Sequence, residues 1–598
     1  MKNPKRSEVE QEFTWDLTPL YVTAKAWREE FEAVEKQLPS LDAFRGKLGE
    51  SEATLLHAIE SYLGIARNVE RLYAYAHMKS DEDTSNTENL GRLDQITNLY
   101  TRFAAQASFI DPELLAIPEA TLTRFLAAPR LLPYARYITE IVRYRAHTLT
   151  TAEEELLAKG GEVFESAAHI YSQLKNADMK FGTLPLNGSE VELTHGSYIL
   201  FLRDADPETR RRAYERYNGK FLELQFTIAS ALAASAKKNV YVSSVRRYPT
   251  ARDAALFPDD VPGSVYDNLI EVISDGLPSL HRYYELRKKV LGLSEQRLSD
   301  VYAPLVSDVR LRHEYSEAAE LVIEALEPLG KEYTEVMRRG LLKDRWVDVH
   351  ENIGKRSGAY SSEAYGGPCY ILLNYKEEEL DQVFTLAHEA GHAMHSYFSN
   401  STQPYQDAKY SIFVAEVASE FNEQLLAFRL ARKFADQPEV RRYLINHQLD
   451  AIKATLFRQT MFAEFEKQVH NLVEQNEPLT TDTFKTLYLA LLKKYFGPSV
   501  LIEENDWIEC LRIPHFYSAF YVYKYATGIA AAISLADSVM NGEKGAVARY
   551  LTFLKAGRSG YPLEVLRAAG ADMSKPDPIR RAVQTFDRLL TEFEALSA

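Results

Sequence analysis

The chain has 598 residues, of which 46% are hydrophobic and 26% are charged, so it can form a large buried core and is neither disordered nor collagen-like. Its 70 Lys and Arg residues against 85 Asp and Glu residues give a net charge of -15, which argues against a general nucleic-acid binder. Two cysteines, Cys369 and Cys510, are too few for a disulfide framework and fit a reducing compartment.

The sequence carries no membrane or export signal that we recognise. No stretch approaches 18 uninterrupted apolar residues, and the charged first ten residues are not followed by an apolar segment. The length predicts about three or four lobes. We therefore expect a large soluble, cytoplasmic protein without a membrane or nucleic-acid partner, and the sequence leaves its oligomeric state open.

Apolar residues recur at three- and four-residue spacing through most of the chain, which predicts a mainly α fold. Two Asp-Pro pairs, Asp111-Pro112 and Asp206-Pro207, are typical of an N-cap followed by proline at the first helical position. The clearest predicted helices cover residues 51–76, 151–177, 207–238, 264–290, 316–339 and 436–475.

Strand signals are few. Residues 181–193 predict a hairpin with an Asn187-Gly188 turn, and this region is a plausible boundary between a helical lobe and a longer helical part. Residues 358–361 and 368–375 also look extended, with glycines between them. Such a segment can be a structural hairpin, or it can offer a sheet edge to a peptide backbone.

A metal-binding motif lies in a stretch with helical periodicity. Residues 388–392 read His-Glu-Ala-Gly-His, and two histidines four positions apart on a helix differ by about 40° around its axis. Both imidazoles can therefore reach one ion, while Glu389 can reach a water on that ion without binding it. The pattern favours zinc-assisted peptide hydrolysis over an accidental surface helix.

A catalytic zinc needs a third protein ligand and one open position. Glu416, Glu420 and Glu423 share one face of a predicted helix and lie among apolar residues. We predict Glu416 as the third ligand and Glu420 as the carboxylate that accepts the other N–H of a ligand histidine. The alternative is an ordinary amphipathic helix with acids facing solvent.

His395 is a competing ligand, seven residues after His388. It shares the same face but lies about 10.5 Å along the axis from His388, so three side chains over that length cannot easily converge on one ion. We expect a structural or subsite role for it.

These residues resemble a known family. Segments 388–396 and 413–423 are similar to the thimet oligopeptidase family, and most closely to its oligoendopeptidase F branch. Weaker similarity reaches nearly the whole chain. One departure is Gly366-Gly367-Pro368-Cys369, where this branch usually has a His-Pro pair. The departure leaves substrate preference near this strand open. The further matching segments are 354–360, 370–374, 512–517, 520–528, 553–557 and 562–566.

The resemblance implies a two-lobed helical zincin-type metallopeptidase with a deep central channel and a small β-sheet beside the zinc helix. Residues 1–200 would form a helical N-terminal domain along one channel wall, and residues 201–598 the catalytic domain. It implies one Zn²⁺ per chain held by His388, His392 and Glu416, with Glu389 as the base. Substrate contacts would come from Gly358, Ala359, Tyr360 and Tyr370.

The resemblance also implies a histidine and a tyrosine that stabilise the oxyanion. His515 matches the histidine, whereas Tyr521, Tyr523 and Tyr525 are all candidates for the tyrosine. We favour Tyr521 and Tyr525, because residues four apart share a helical face. Without the resemblance, a tyrosine-rich helix is as easily explained by core packing.

The function implied is zinc-dependent endopeptidase activity on short, unfolded oligopeptides. Three alternatives remain open: a helical scaffold with a degenerate motif, a non-catalytic peptide-binding protein, and a zinc exopeptidase. The scaffold would hold no stoichiometric zinc, and the peptide-binding protein would release peptides intact. The exopeptidase would cut only at chain ends and would leave an end-blocked peptide uncut.

Overall fold

The computed structural model describes residues 3–306 and 311–597. It confirms the mainly α fold. No helix in these two ranges combines the length and the apolar character that crossing a membrane requires.

The α-helices of the first half of the chain are numbered in chain order. They are α1 (Ala24–Gln37), α2 (Glu52–Glu82), α3 (Thr87–Ala107), α4 (Ile110–Ala116), α5 (Glu119–Leu126), α6 (Ala135–Val142), α7 (Thr151–Lys159), α8 (Gly161–Gln173), α9 (Tyr198–Leu202), α10 (Pro207–Glu223), α11 (Gln225–Val245), α12 (Ala251–Leu256) and α13 (Gly263–Val290).

The second half continues the series. Its α-helices are α14 (Tyr315–Ala325), α15 (Lys331–Leu342), α16 (Asp381–Thr402), α17 (Tyr405–Ala408), α18 (Ile412–Lys433), α19 (Pro438–Ile452), α20 (Arg458–Glu474), α21 (Thr481–Phe496), α22 (Glu509–Arg512), α23 (Tyr523–Met540), α24 (Ala546–Leu554), α25 (Pro562–Ala569) and α26 (Asp577–Ser597).

The helix caps agree with the sequence at one Asp-Pro pair and differ at the other. The side chain of Asp206 accepts hydrogen bonds from the backbone N–H groups of Glu208 and Thr209 at the start of α10. The predicted N-cap at Asp111 is wrong, because α4 already begins at Ile110 and Asp111 lies in its first turn. Proline is tolerated there because the first-turn N–H groups have no intrahelical acceptor.

Four long predicted helices are divided in the structure. The stretch 207–238 divides at Leu224, between α10 and α11. The stretch 151–177 divides at Gly160, between α7 and α8, and 316–339 divides between α14 and α15. The stretch 436–475 contains a π-helical turn, Lys453–Phe457, between α19 and α20. Apolar spacing is similar on both sides of such a break, so periodicity alone does not locate it.

The β structure consists of two small sheets. Strands β1 (Thr183–Leu186) and β2 (Ser189–Glu192) form the predicted antiparallel hairpin, with Asn187 and Gly188 both at positive φ in the turn. Strands β3 (Val347–Asp348), β4 (Tyr360–Glu363) and β5 (Cys369–Leu372) form the other sheet in the order β3-β5-β4. Strand β4 pairs antiparallel with β5 and is an edge strand.

The two faces of this three-stranded sheet have different neighbours. Tyr370 and Leu372 belong to one apolar core together with residues of α1, α2 and α3, and the partly buried Tyr360 packs against that core. Side chains alternate along a strand, so Ser361 and Glu363 point to the opposite face. That face lies toward α16, which contacts both β4 and β5.

The chain folds into two compact units. Unit 1 consists of Met1–Ala146, Arg310–Arg429 and Leu535–Gly570, and unit 2 of His147–Val309, Leu430–Ser534 and Ala571–Ala598. These units are interleaved along the chain, whereas the division predicted at residue 200 separates two continuous parts. That division stays a prediction about which part of the chain carries catalysis.

Candidate metal centre and active site

Helix α16 presents His388 and His392 on one side. Their ring centroids lie 4.8 Å apart and the rings are nearly perpendicular. The exposed fractions of the two side chains are 26% and 19%, so both imidazoles are reachable from a cavity yet held by the helix. Residues 388 and 392 therefore face the same way, as their spacing predicts.

Helix α18 brings Glu416 to these imidazoles. Its Oε2 lies 3.4 Å from Nε2 of His388 and 3.5 Å from Nε2 of His392. The three ligand atoms all lie within 4.8 Å of one another. A tetrahedral ion with bonds of about 2.0–2.1 Å separates its ligand atoms by about 3.3 Å. The two distances from Glu416 are close to this value, so the donor set fits Zn²⁺.

The charges in this group support one another. Burial opposes ionisation of Glu416, but hydrogen bonds from His388 and His392 hold the pKa of its carboxyl well below its usual range. A deprotonated carboxylate beside two imidazoles is the ligand set that a divalent cation needs.

Glu389 lies beside the ligands and lines the same cavity. The residue is only 7% exposed. Burial raises the pKa of the Glu389 carboxyl against the opposing effect of His388 and His392. A carboxylate with a raised pKa next to a metal position is suited to accepting a proton from water.

The close crossing of α16 and α18 depends on Gly391, the fourth residue of the motif. A Cβ atom at this position would lie 2.6 Å from both the carbonyl oxygen of Ala418 and the Cα of Ser419. The Nδ2 of Asn422 donates to the carbonyl of Ala387 at 3.2 Å, which ties the two helices together. Without this crossing, Glu416 would not reach the imidazoles.

The orienting carboxylate is Glu423, and the prediction of Glu420 for this role is wrong. The Nδ1 of His388 lies 2.6 Å from Oε1 of Glu423, one helical turn beyond Glu420. Burial, together with the neighbouring Glu423, raises the pKa of Glu420 to about 8. Both acids share the predicted face, but the contact with His388 is made by Glu423.

His395 lies away from the ligand group. Its ring stacks on Tyr410 with centroids 3.6 Å apart and an interplanar angle of 5°, and the residue is 1% exposed. Burial lowers the pKa of His395 to about 3. A buried ring stacked on a tyrosine agrees with the structural role expected for His395.

A cavity of about 380 Å³ adjoins the ligand group. Ala359 and Tyr360 line it, and their contact with a substrate stays a prediction. The carbonyl of Gly358 accepts a hydrogen bond from Nδ2 of Asn374 at 2.8 Å. Gly358 has φ of 87°, a conformation that favours glycine.

Tyr370 is placed differently from the prediction. It is completely buried on the core face of the sheet, and its hydroxyl donates to the carbonyl of Asp16 at 2.7 Å. The extended segment is apolar on both faces around Tyr370, so the sequence does not show which side chain faces the cavity. The side chain of Tyr370 is a core residue rather than a substrate contact.

Unit 2 gathers three of the other predicted residues. The ring of His515, in the short 3₁₀ helix Pro514–Tyr517, lies 6.1 Å from that of Tyr521 and 6.2 Å from that of Tyr525. The two tyrosine hydroxyl oxygens are 3.4 Å apart. Tyr523 is completely buried and packs against Tyr266, so its position is that of a core residue.

Comparison with known proteins gives the family of this chain. The model of peptidase family M3 matches residues 200–585, and that of oligopeptidase F matches residues 113–181. Oligopeptidase PepF of Bacillus subtilis is 43% identical over 99% of this chain and 88% of that protein. The chain belongs to peptidase family M3.

Further relatives place this M3 peptidase in the oligoendopeptidase F branch. An oligoendopeptidase F homologue of Borreliella burgdorferi is 38% identical over 99% of both chains. The crystal structure of oligoendopeptidase-F from Enterococcus faecium is similar with a TM-score of 0.74 and 34% identity, over 96% of this chain and 99% of that one. The predicted resemblance is thereby confirmed.

The glycine at the helix crossing gives a test of how this M3 peptidase builds its metal site. We expect Gly391→Ala to weaken metal affinity and to lower the free energy of unfolding by about 1–3 kcal/mol, because the new methyl group meets backbone atoms that cannot rotate away. Metal competition assays and urea unfolding measure the two effects. The matched control is Gly64→Ala in α2, where no atom lies within 4 Å of the added Cβ; stability there should stay equal or rise. Equal behaviour of the two variants would contradict the interpretation.

A second pair of variants tests which acid orients His388. We expect Glu423→Gln to lower metal affinity by about 10–100-fold, since it removes the charge that holds the imidazole. Glu420→Gln, one turn away on α18, should have a clearly smaller effect, because no hydrogen bond joins Glu420 to a ligand histidine in the described residues. Dissociation constants measured against a competing chelator decide the order. A reversed order would restore the sequence-based choice of Glu420.

Proposed function

We propose that this M3 peptidase is a zinc-dependent endopeptidase that hydrolyses internal bonds of short, unfolded oligopeptides. The observation that carries the proposal is the convergence of Nε2 of His388, Nε2 of His392 and Oε2 of Glu416 beside the buried Glu389. Three protein ligands that leave one position open are typical of a catalytic zinc site, whereas structural sites use four.

When bound, zinc supplies a Lewis acid that polarises the scissile carbonyl and lowers the pKa of water. The chain itself supplies the proton transfer: the carboxylate of Glu389 accepts a proton from the attacking water and passes it to the leaving amine nitrogen. Glu423 keeps the Nδ1–H of His388 engaged, so that Nε2 points to the metal position. The oxyanion-stabilising role of His515 with Tyr521 or Tyr525 stays a prediction from the family resemblance.

The edge strand β4 supports a peptide as the substrate. It pairs with β5 on one side only, and its residues line the cavity beside the ligand group. An extended peptide that adds to this edge would gain main-chain hydrogen bonds that do not depend on its side chains. The restriction to short, unfolded substrates rests on the channel that the resemblance predicts. The cytoplasmic location stays a prediction as well.

The decisive experiment is incubation of the purified protein with a library of peptides blocked at both ends, followed by mass spectrometry. We expect internal cuts that disappear with a chelator and return with added Zn²⁺. Cleavage confined to unblocked control peptides would indicate an exopeptidase. Binding of intact peptides without any cut would indicate a peptide-binding protein.

A further inference from the structure

Two polar side chains in the cavity wall have no part in the hydrolysis described above. Ser361 and Glu363 lie on β4 and point to the sheet face toward α16. They line the same cavity as His392 and Glu416. A substrate held near the metal position would therefore meet both side chains.

Both groups lack a full set of partners. The Oγ of Ser361 is buried and has no hydrogen-bond partner within the residues that the structure describes. Glu363 makes no ion pair with a lysine or arginine in the same ranges. Buried polar groups in folded proteins normally have hydrogen-bond partners. A buried polar group without a partner in a cavity wall therefore indicates a place where a ligand can supply the missing hydrogen bond.

A second carboxylate lies close to Glu363. Burial and the nearby carboxylate of Glu70 raise the pKa of Glu363, while Lys409, Ser396 and His392 act in the opposite direction. Lys409 is itself paired with Glu70, its Nζ lying 2.8 Å from Oε2. Lys409 is thus engaged by Glu70 and is not available to pair with Glu363 alone.

We infer that Ser361 and Glu363 form a subsite that takes a cationic side chain, that of lysine or arginine, from the substrate residue next to the scissile bond. This inference rests on the proposed endopeptidase function. A peptide added to the edge of β4 would alternate its side chains between the two faces of the sheet, and one of them would point to the face that carries Ser361 and Glu363. There an ammonium or guanidinium group would donate charge-assisted hydrogen bonds to the carboxylate of Glu363 and a further one to Oγ of Ser361.

The test uses two series of end-blocked peptides, one varied at the residue before the cut and one at the residue after it. In each series the varied residue is lysine, norleucine, asparagine or glutamate. In the native protein we expect kcat/KM for the preferred lysine peptide to exceed that for norleucine by at least about tenfold. Glu363→Gln should bring this ratio close to one and raise the relative rate with glutamate. The control Glu32→Gln removes the same charge from an exposed position of α1 and should keep the native ratio.

Binding gives a readout that does not depend on turnover. In a Glu389→Gln background, the dissociation constant of the lysine peptide should rise about tenfold on adding Glu363→Gln, while that of the norleucine peptide should change much less. An unchanged lysine-to-norleucine ratio, or a preference for asparagine over lysine, would overturn the inference. If no peptide is cut yet lysine binding depends on Glu363, the endopeptidase proposal fails while the subsite stands.

Discussion

Glu389→Gln is expected to lower kcat by about 10²–10⁴ while the protein keeps its metal. The substitution preserves the size of the side chain and removes only its ability to accept a proton. Glu389 lies next to the ligands without being one of them, so the donor atoms of His388, His392 and Glu416 stay in place. Peptide hydrolysis at substrate saturation, measured together with bound metal, tests both halves of this expectation.

The matched control for that variant is Glu389→Asp, which keeps a carboxylate but withdraws it by one methylene group. Its activity should fall between those of the native protein and Glu389→Gln, because distance rather than chemistry is changed. Unchanged turnover in Glu389→Gln would contradict the role of general base. Loss of metal in this variant would show instead that Glu389 helps to hold the ion.

The part of the site that the sequence predicts correctly follows from helical geometry. Four-residue spacing puts His388 and His392 on one side of α16, and the same spacing aligns Glu416 with Glu420 on α18. These relations hold within a helix and need no knowledge of its neighbours. The fold class is predictable for the same reason, because apolar periodicity recurs along most of the chain.

The part that the sequence does not predict depends on how the helices cross. Glu423 of α18 reaches Nδ1 of His388, and the two helices meet where Gly391 lies against the backbone at Ala418 and Ser419. A glycine between the two histidines is a signal of close approach, but nothing in the sequence names the partner helix. The choice of Glu420 over Glu423 failed at this step.

Tyr521 and Tyr525 lie close together, but not because they share a helix. The four-residue spacing predicts that Tyr521 and Tyr525 share a helical face, yet α23 begins at Tyr523 and Tyr521 precedes it. Phe520 has φ of 52°, rare for a bulky residue, and its N–H donates to the buried Glu466 at 2.6 Å. The hydroxyl groups of Tyr521 and Tyr525 lie close together next to this turn. The contact of Phe520 with Glu466 joins residues far apart in the chain, and such a contact leaves no periodic pattern in the sequence.

Removing the third ligand should have the largest effect on metal binding. We expect Glu416→Ala to weaken Zn²⁺ affinity by more than about 100-fold, the upper range for residues that only orient a ligand. Glu416 supplies the charged donor of the set, and its loss leaves two imidazole donors for the ion. Competition with a chelator of known affinity gives the dissociation constant.

Glu416→Gln separates the effect of charge from that of shape. The amide keeps the length of the side chain and one oxygen donor, so its Zn²⁺ affinity should lie between those of the native protein and Glu416→Ala. Glu423→Gln provides the scale, because there the same change acts through His388 rather than on the ion. Stoichiometric zinc of native affinity in Glu416→Ala would show that another group holds the metal, and the mechanism built on Glu416 would then be wrong.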